Sequence, residues 1–260
     1  MTSPIRLALN GETAEIILDR PDKRNALSIG MWAAIPDLVA EAVAAKDVKV
    51  ILLHGGDAGA FAAGADISEF GTIYATPETA AASGETIAAA LNAIETCAKP
   101  VIAAIEGACV GGGVSIAMAA DLRVASEDAR FGVTPARLGI VYPPGDTRRL
   151  VMVVGQAHAR DILFTGRIFP AAEAKEMGLI NRLVPEGTAL EAARALAAEI
   201  AAASQWSVRA IKQMLAGLDA GWADDSPEGQ ALFLEGFANE DFQEGHRAFL
   251  DKRKADFSFR

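Results

Sequence analysis

Cysteine and histidine are scarce in this sequence, two of the first and three of the second in 260 residues. Cys97 and Cys109 lie in apolar surroundings, with no disulfide framework and no zinc spacing, so they read as buried structural thiols. His54, His158 and His246 are scattered, and no His, Asp or Glu cluster has metal-ligand spacing, so no metal is expected. Long hydrophobic runs are missing too. The longest uncharged run, Gly107 to Ala120, has 14 residues and is rich in glycine; a spanning helix needs about 18 or more. The start, MTSPIRLALNGETAEI, has no apolar stretch of signal-peptide type. A cytoplasmic protein with no membrane partner is expected. Positive charge is in deficit, 24 Lys and Arg against 34 Asp and Glu, for a net charge of -10. That argues against a nucleic-acid partner, which needs clustered basic residues.

What is present is a large apolar fraction, 51% of the chain, enough for one sizeable core or a core with an appendage. The stretch IRLALNGETAEIILDRP alternates around Asn-Gly and predicts a hairpin with strands near Ile5–Leu9 and Ala14–Leu18. Ser28 reads as the N-cap of an amphipathic helix, and Thr76 followed by Pro77 opens another. VKVILLHG, VIAAIEG and LRVAS read as strands between these helices. Strands alternating with helices predict an α/β fold with crossover connections. From about Ala157 the pattern turns helical, with NRLVP as the one strand expected there. The chain therefore divides into a core over residues 1–195 and a helical region over 196–260.

Two glycine-rich loops carry the candidate chemistry. GAFAAGADISEF, residues 59 to 70, and EGACVGGGVSIAM, residues 106 to 118, each follow an expected strand. Neither is a dinucleotide fingerprint, and Ser115 is not in a nucleophile elbow, because Ala117 stands where its last glycine would be. Small side chains there leave backbone N–H groups bare at helix starts, where they stabilise developing negative charge. Tight strand–helix packing is the other use such glycines serve.

The motifs DRPDKRNAL, FAAGADISEF, KPVIAAIEGACVGGG, ADLRVAS, TGRIFPAAEAKEMGLINRLVP and EDFQEGHRAFLDKRK span nearly the whole chain in order. Together they resemble the enoyl-CoA hydratase/isomerase, or crotonase, family. The resemblance implies a crotonase-like ββα spiral core with a helical C-terminal trimerisation region, assembled as a homotrimer or a dimer of trimers. It implies an acyl-CoA substrate, with coenzyme A arriving as part of that substrate and no separate cofactor. The thioester oxygen would sit between the N–H groups of Ala65 and Gly112. Lys23 and Arg24, in the DKRNAL loop with Ala26, would meet the phosphates. Ala63, Gly64, Ala65, Asp66 and Ile67 would line the adenine and pantetheine path, and Lys252 could reach a neighbouring subunit's nucleotide. Residues 70 to 83 would form part of the acyl pocket.

The sequence departs from the family where hydratases carry two glutamates. Ser115 and Pro135 stand in those places, and between Phe131 and Gly145 there is no Asp, Glu, His, Cys or Lys. A serine hydroxyl without an activator is no general base. The segment TPARLGIVY resembles that of methylmalonyl-CoA decarboxylases in the family, and Tyr142 matches their pocket tyrosine. Losing carbon dioxide leaves an enolate without any base, and a pocket free of carboxylates would spare an anionic substrate repulsion. Positive charge there would come from Arg137 or Arg148, unless these serve the surface. Three readings result: a family enzyme working through a thioester enolate, a malonyl-type CoA decarboxylase, or a non-catalytic acyl-CoA-binding protein. Asp146 either faces the pocket or caps the helix that begins in DTRRLVMVV, capping being the usual place of an Asp before a helical run, and His54 and Asp66 are expected to be structural.

Overall fold

A computed structural model describes residues 3–259. The chain opens on the expected hairpin, with β1 (Ile5–Asn10) and β2 (Thr13–Leu18) pairing antiparallel, Ile5 opposite Leu18. Ser28 caps α1 (Ile29–Ala44) by accepting the Met31 N–H, which satisfies one orphan donor of the first turn.

Three strand–strand–helix units follow. β3 (Val50–His54) leads to β4 (Ala60–Ala62), then α2 (Phe70–Ile73) and α3 (Pro77–Thr96). β5 (Val101–Ile105) leads to β6 (Ala108–Val110) and α4 (Gly112–Ala119). β7 (Leu122–Ser126) leads to β8 (Arg130–Gly132) and α5 (Pro144–Thr165). The first strand of each unit enters a six-stranded sheet, ordered β1, β2, β3, β5, β7 and β10 (Arg182–Val184). The second enters a four-stranded sheet, ordered β4, β6, β8 and β9 (Ile168–Pro170). Both sheets are parallel except at β1–β2 and β8–β9. The fold is thus a mixed α/β spiral of ββα turns followed by helices.

Strands of a parallel sheet are covered on both faces, so they are apolar along their whole length. VILLH of β3 and VIAAI of β5 are buried at every position. Ile51, Leu53, Ala103 and Ile105 face a core shared with Met31, Ile35, Leu91 and Ile94 of α1 and α3. The alternate residues Val50, Leu52, Ile102 and Ala104 face the opposite way. They are covered by Ala189, Ala193, Leu196 and Ala197 of α7 (Ala189–Ala201), which follows α6 (Ala171–Glu176). The boundary drawn at 195/196 therefore falls inside a helix that covers the sheet. α8 (Gln205–Asp219), α9 (Pro227–Glu235) and α10 (Glu240–Asp251) complete the helical end.

Two features differ from the sequence reading. The region after Ala157 holds a second strand, β9, and the smaller sheet is built from strands of three residues each. Strands so short show no alternation to read. α5 begins at Pro144, not Asp146, and is broken at Gly155, whose φ of 72° is outside the helical region.

Candidate active site

The two glycine loops meet. Leu27 N–H donates to Gly64 O (2.8 Å) and Asp66 N–H donates to Leu27 O (2.9 Å). That parallel bridge engages the residues on either side of Ala65 and turns the Ala65 N–H away from Leu27. Among the described residues no backbone carbonyl accepts it. Gly112 is the first residue of α4, so its N–H has no partner inside the helix, and no other backbone carbonyl among the described residues takes it. Gly111, at φ 52°, packs so closely on the other loop that a Cβ there would lie 3.9 Å from Gly64 Cα. A Cβ on Gly113 would lie 2.6 Å from Ala62 O, a clash that real side chains do not tolerate. Glycine at 113 is what lets the loops touch, so the tight packing expected of these glycines is present, and the N–H groups of Ala65 and Gly112 lie on the two contacting loops.

The loop that carries Ala65 is pinned from beneath. Asp66 accepts the Ser68 N–H (3.1 Å) and an Arg20 guanidinium hydrogen (2.9 Å). The Ser68 hydroxyl and the Arg20 guanidinium hold its carboxyl below the usual range. Its side chain is a cap, as expected, which leaves only its backbone to face a ligand. Asn25, which the sequence reading passed over, is fully buried at φ 57°. It donates to Gly55 O and Ala60 O, both 2.9 Å, and accepts the Arg20 N–H at 2.8 Å. Lys23 and Arg24 are exposed on this turn, Arg24 O accepts the Ala63 N–H (3.0 Å), and Arg20 holds Ala26 O at 2.7 Å. The basic turn and residues 63–67 thus form one rim, on which Ile67 is 66% exposed. Lys252 is exposed at the end of α10.

Three further residues come from other elements, and of them Pro135 lines a neighbouring cavity. Pro135 opens a short turn over Pro135–Leu138 and offers no proton-transfer group. Ser115, one turn into α4, is buried, and its Oγ lies 2.7 Å from the Tyr142 hydroxyl. Burial pushes the Tyr142 phenol up, and the nearby Asp146 charge pushes it further, so it stays protonated at neutral pH.

Of the two places expected for Asp146, the structure gives the cavity wall and not the favoured cap. Asp146 does not cap α5, whose N-cap is Pro143 with no side-chain bond. It lies in the first turn of the helix, is only 4% exposed, and its Oδ1 accepts no hydrogen bond but faces Arg149 at 3.6 Å. Burial pushes its carboxyl up to about 6, against the opposing pull of Arg149 and Ser115. A legible signal existed: Asp146, Arg149, Leu150 and Val154 fall at helical spacing and share the buried face of α5. The buried cation is Arg149. It donates to Glu95 (2.7 Å) and Asn92 (2.7 Å) and lies 3.6 Å from Asp146. The expected candidates lie outward, with Arg137 exposed and Arg148 paired to Glu95 on the surface.

Asp146 and Arg149 line the same cavity, of about 840 Å³. Phe70 and Tyr74 of α2, Ile87 and Leu91 of α3, and Pro135, Leu138 and Ile140 form much of its wall. Residues 70–83 contribute as expected, through Phe70, Tyr74, Ala80 and Ala81. His54 is structural, its Nε2 3.2 Å from Glu15 and its Nδ1 accepting the Gly56 N–H. Both cysteines are free thiols, Cys109 fully buried. Among the described residues no group of three His, Cys, Asp or Glu is arranged to hold a metal, and no helix is long and apolar enough to cross a membrane.

The family model described as enoyl-CoA hydratase/isomerase matches residues 9–260. An enoyl-CoA hydratase/isomerase family protein of Hyphomonas neptunium superposes with a TM-score of 0.98 at 70% identity, covering 100% of this chain and 99% of its own. An enoyl-CoA hydratase/carnithine racemase of Magnetospirillum magneticum gives 0.92 at 35% identity, covering 100% and 97%. A Mycobacterium tuberculosis protein named as an enoyl-CoA hydratase is 36% identical over 253 residues, 94% of each chain. The glycine loops, the spiral of ββα turns and these similarities agree: the chain belongs to the enoyl-CoA hydratase/isomerase family.

Proposed function

We propose that the protein is an acyl-CoA enzyme that forms a thioester enolate and holds its oxygen between the N–H groups of Ala65 and Gly112. The observation that carries this reading is the pair of unclaimed N–H groups on touching loops, fixed in place before any substrate arrives. Preorganised donors of this kind stabilise charge that develops in the transition state, about 3 kcal/mol for each donor. The rim of Lys23, Arg24, Ala26 and Ala63–Ile67 supports a coenzyme A subsite, with its exposed cations suited to phosphates. The apolar cavity supports an uncharged acyl group. No cofactor beyond the substrate's own coenzyme A is needed, and the reading is of a cytoplasmic enzyme.

Decarboxylation of a malonyl-type thioester, which rests on the TPARLGIVY resemblance and Tyr142, loses its argument from a pocket without carboxylates. Asp146, near Tyr142, lines the cavity. Ionised, it would repel an acyl carboxylate. A purely binding role is also less favoured, because nothing about binding an uncharged acyl group calls for a buried carboxylate on the cavity wall.

We place the assembly as a trimer or dimer of trimers through the helical end. Phe233, Leu234, Phe249 and Leu250 are exposed there, more apolar surface than an isolated chain usually leaves uncovered. The reading is tested by offering purified protein crotonyl-CoA and methylmalonyl-CoA in parallel and following products. Turnover of crotonyl-CoA without carbon dioxide from methylmalonyl-CoA supports it. Carbon dioxide release that weakens in Tyr142→Phe would instead establish the decarboxylase.

A further inference from the structure

A buried carboxylate that faces one shared cation at 3.6 Å and accepts no hydrogen bond at that oxygen is costly unless it is put to use. Asp146 has no capping bond and no hydrogen bond to Oδ1, and its nearest cation, Arg149, is turned mainly to Glu95 and Asn92. The carboxyl lies on the wall of the cavity. From α4, Ser115 stands close enough to favour its charged form, and Ser115 is three residues from Gly112, whose N–H is unclaimed. The groups facing Asp146 are therefore Glu95 and Asn92 on α3, Ser115 on α4, Tyr142 before α5 and Arg149 on α5. Glu85, exposed at the cavity mouth, is the other carboxylate lining it.

We propose that Asp146 is the proton-transfer group of this site, taking a proton from the carbon next to the thioester carbonyl and returning it to the substrate. The proposal rests on the acyl-CoA reading above. It assigns to the first turn of α5 a role that Ser115 and Pro135 cannot fill. The step balances within the pair. The carbon–hydrogen bond breaks and its electrons form the enolate double bond. The carbonyl π pair moves to the thioester oxygen, and the proton bonds to an Asp146 oxygen. Reversal returns the proton to the same carbon, or to a carbon conjugated with it. Chemistry of this class relocates a proton within an uncharged acyl-CoA and uses no second base. Ser115, held by the Tyr142 hydroxyl, is a positioning residue that keeps the carboxylate turned to the substrate.

The test uses butyryl-CoA, a saturated thioester that cannot be hydrated, in deuterium oxide. Binding is measured by calorimetry and exchange at the carbon next to the carbonyl by proton NMR. The parent is expected to bind and to exchange, with a rate that rises through an apparent pKa near 6. Asp146→Asn should lose at least about 100-fold in exchange, the usual scale of acid–base catalysis, with binding kept within about threefold. Asp146→Glu should recover part of the rate, and Ser115→Ala should shift the pH profile. Glu12→Gln, on the hairpin side where Glu12 pairs with Lys49, should change nothing. Binding without exchange in the parent, or parental exchange in Asp146→Asn, overturns the proposal and leaves the acyl-CoA reading standing. Exchange lost in Glu85→Gln but kept in Asp146→Asn overturns it in favour of the rim. Failure of the parent to bind butyryl-CoA overturns the acyl-CoA reading and the proposal with it.

Discussion

Replacing Asp146 with asparagine keeps the shape of the side chain and removes its charge. Burial raises the folded-state carboxyl to about 6 from an ordinary value of 3.8. The folded protein therefore holds this proton to higher pH than the unfolded chain does. Stability from this group is fully present below about pH 4 and falls as pH rises to about 6. The gap corresponds to about 3 kcal/mol, at roughly 1.4 kcal/mol for each pH unit. Arg149 does not offset the loss, because its net pull is already part of the raised value. Asp146→Asn should thus be more stable than the parent at pH 8 by about 2–3 kcal/mol, or roughly 5–10 °C in melting temperature for a chain of this size. The advantage should shrink as pH falls through 6 and vanish by about pH 4, where the parent carries a neutral carboxyl of the same shape. Thermal melts of both proteins across that range measure it. An asparagine variant that is destabilised equally at pH 4 and pH 8 would refute the reasoning and make Asp146 a structural residue.

Other substitutions probe the frame around the site. Gly113→Ala drives a methyl group into Ala62 O, 2.6 Å away, and should part the two loops. Turnover should fall by about 100-fold, the scale of losing one donor, while the coenzyme A rim still binds free coenzyme A, as calorimetry would show. Asn25→Ala abandons two carbonyls and one N–H in a buried loop and should cost about 2–4 kcal/mol in unfolding, with weaker coenzyme A binding alongside. Arg149→Met leaves Glu95 and Asp146 without their buried cation and should cost about 3–5 kcal/mol at pH 8, less at pH 5, by denaturant titration.

The legible parts of this protein were those with a repeating signal. β1 and β2 alternate around Asn10-Gly11, α1 and α3 carry Ser28 and Thr76 as caps, and both were readable to within a residue or two. The smaller sheet was not, because strands of three residues have no period. The glycine loops were legible as a pair because their small residues admit close backbone approach, which Gly111 and Gly113 realise. Asn25 was hidden because a turn asparagine usually bonds its own neighbours, whereas this one reaches Gly55 and Ala60. For Asp146 the cap outweighed the pocket because an acidic residue just before an apolar helical run looks like an N-cap. Pro143 and Pro144 had already started the helix, which rotates Asp146 onto the buried face beside Arg149.

The central claim is that Ala65 and Gly112 hold a thioester oxygen. A crystal structure of the protein with a non-reactive acyl-CoA analogue tests it most directly. The account predicts the analogue's carbonyl oxygen about 3 Å from both N–H groups, with the acyl chain in the cavity that Asp146 lines. A carbonyl oxygen lodged elsewhere, with both N–H groups bonded only to water, would contradict it.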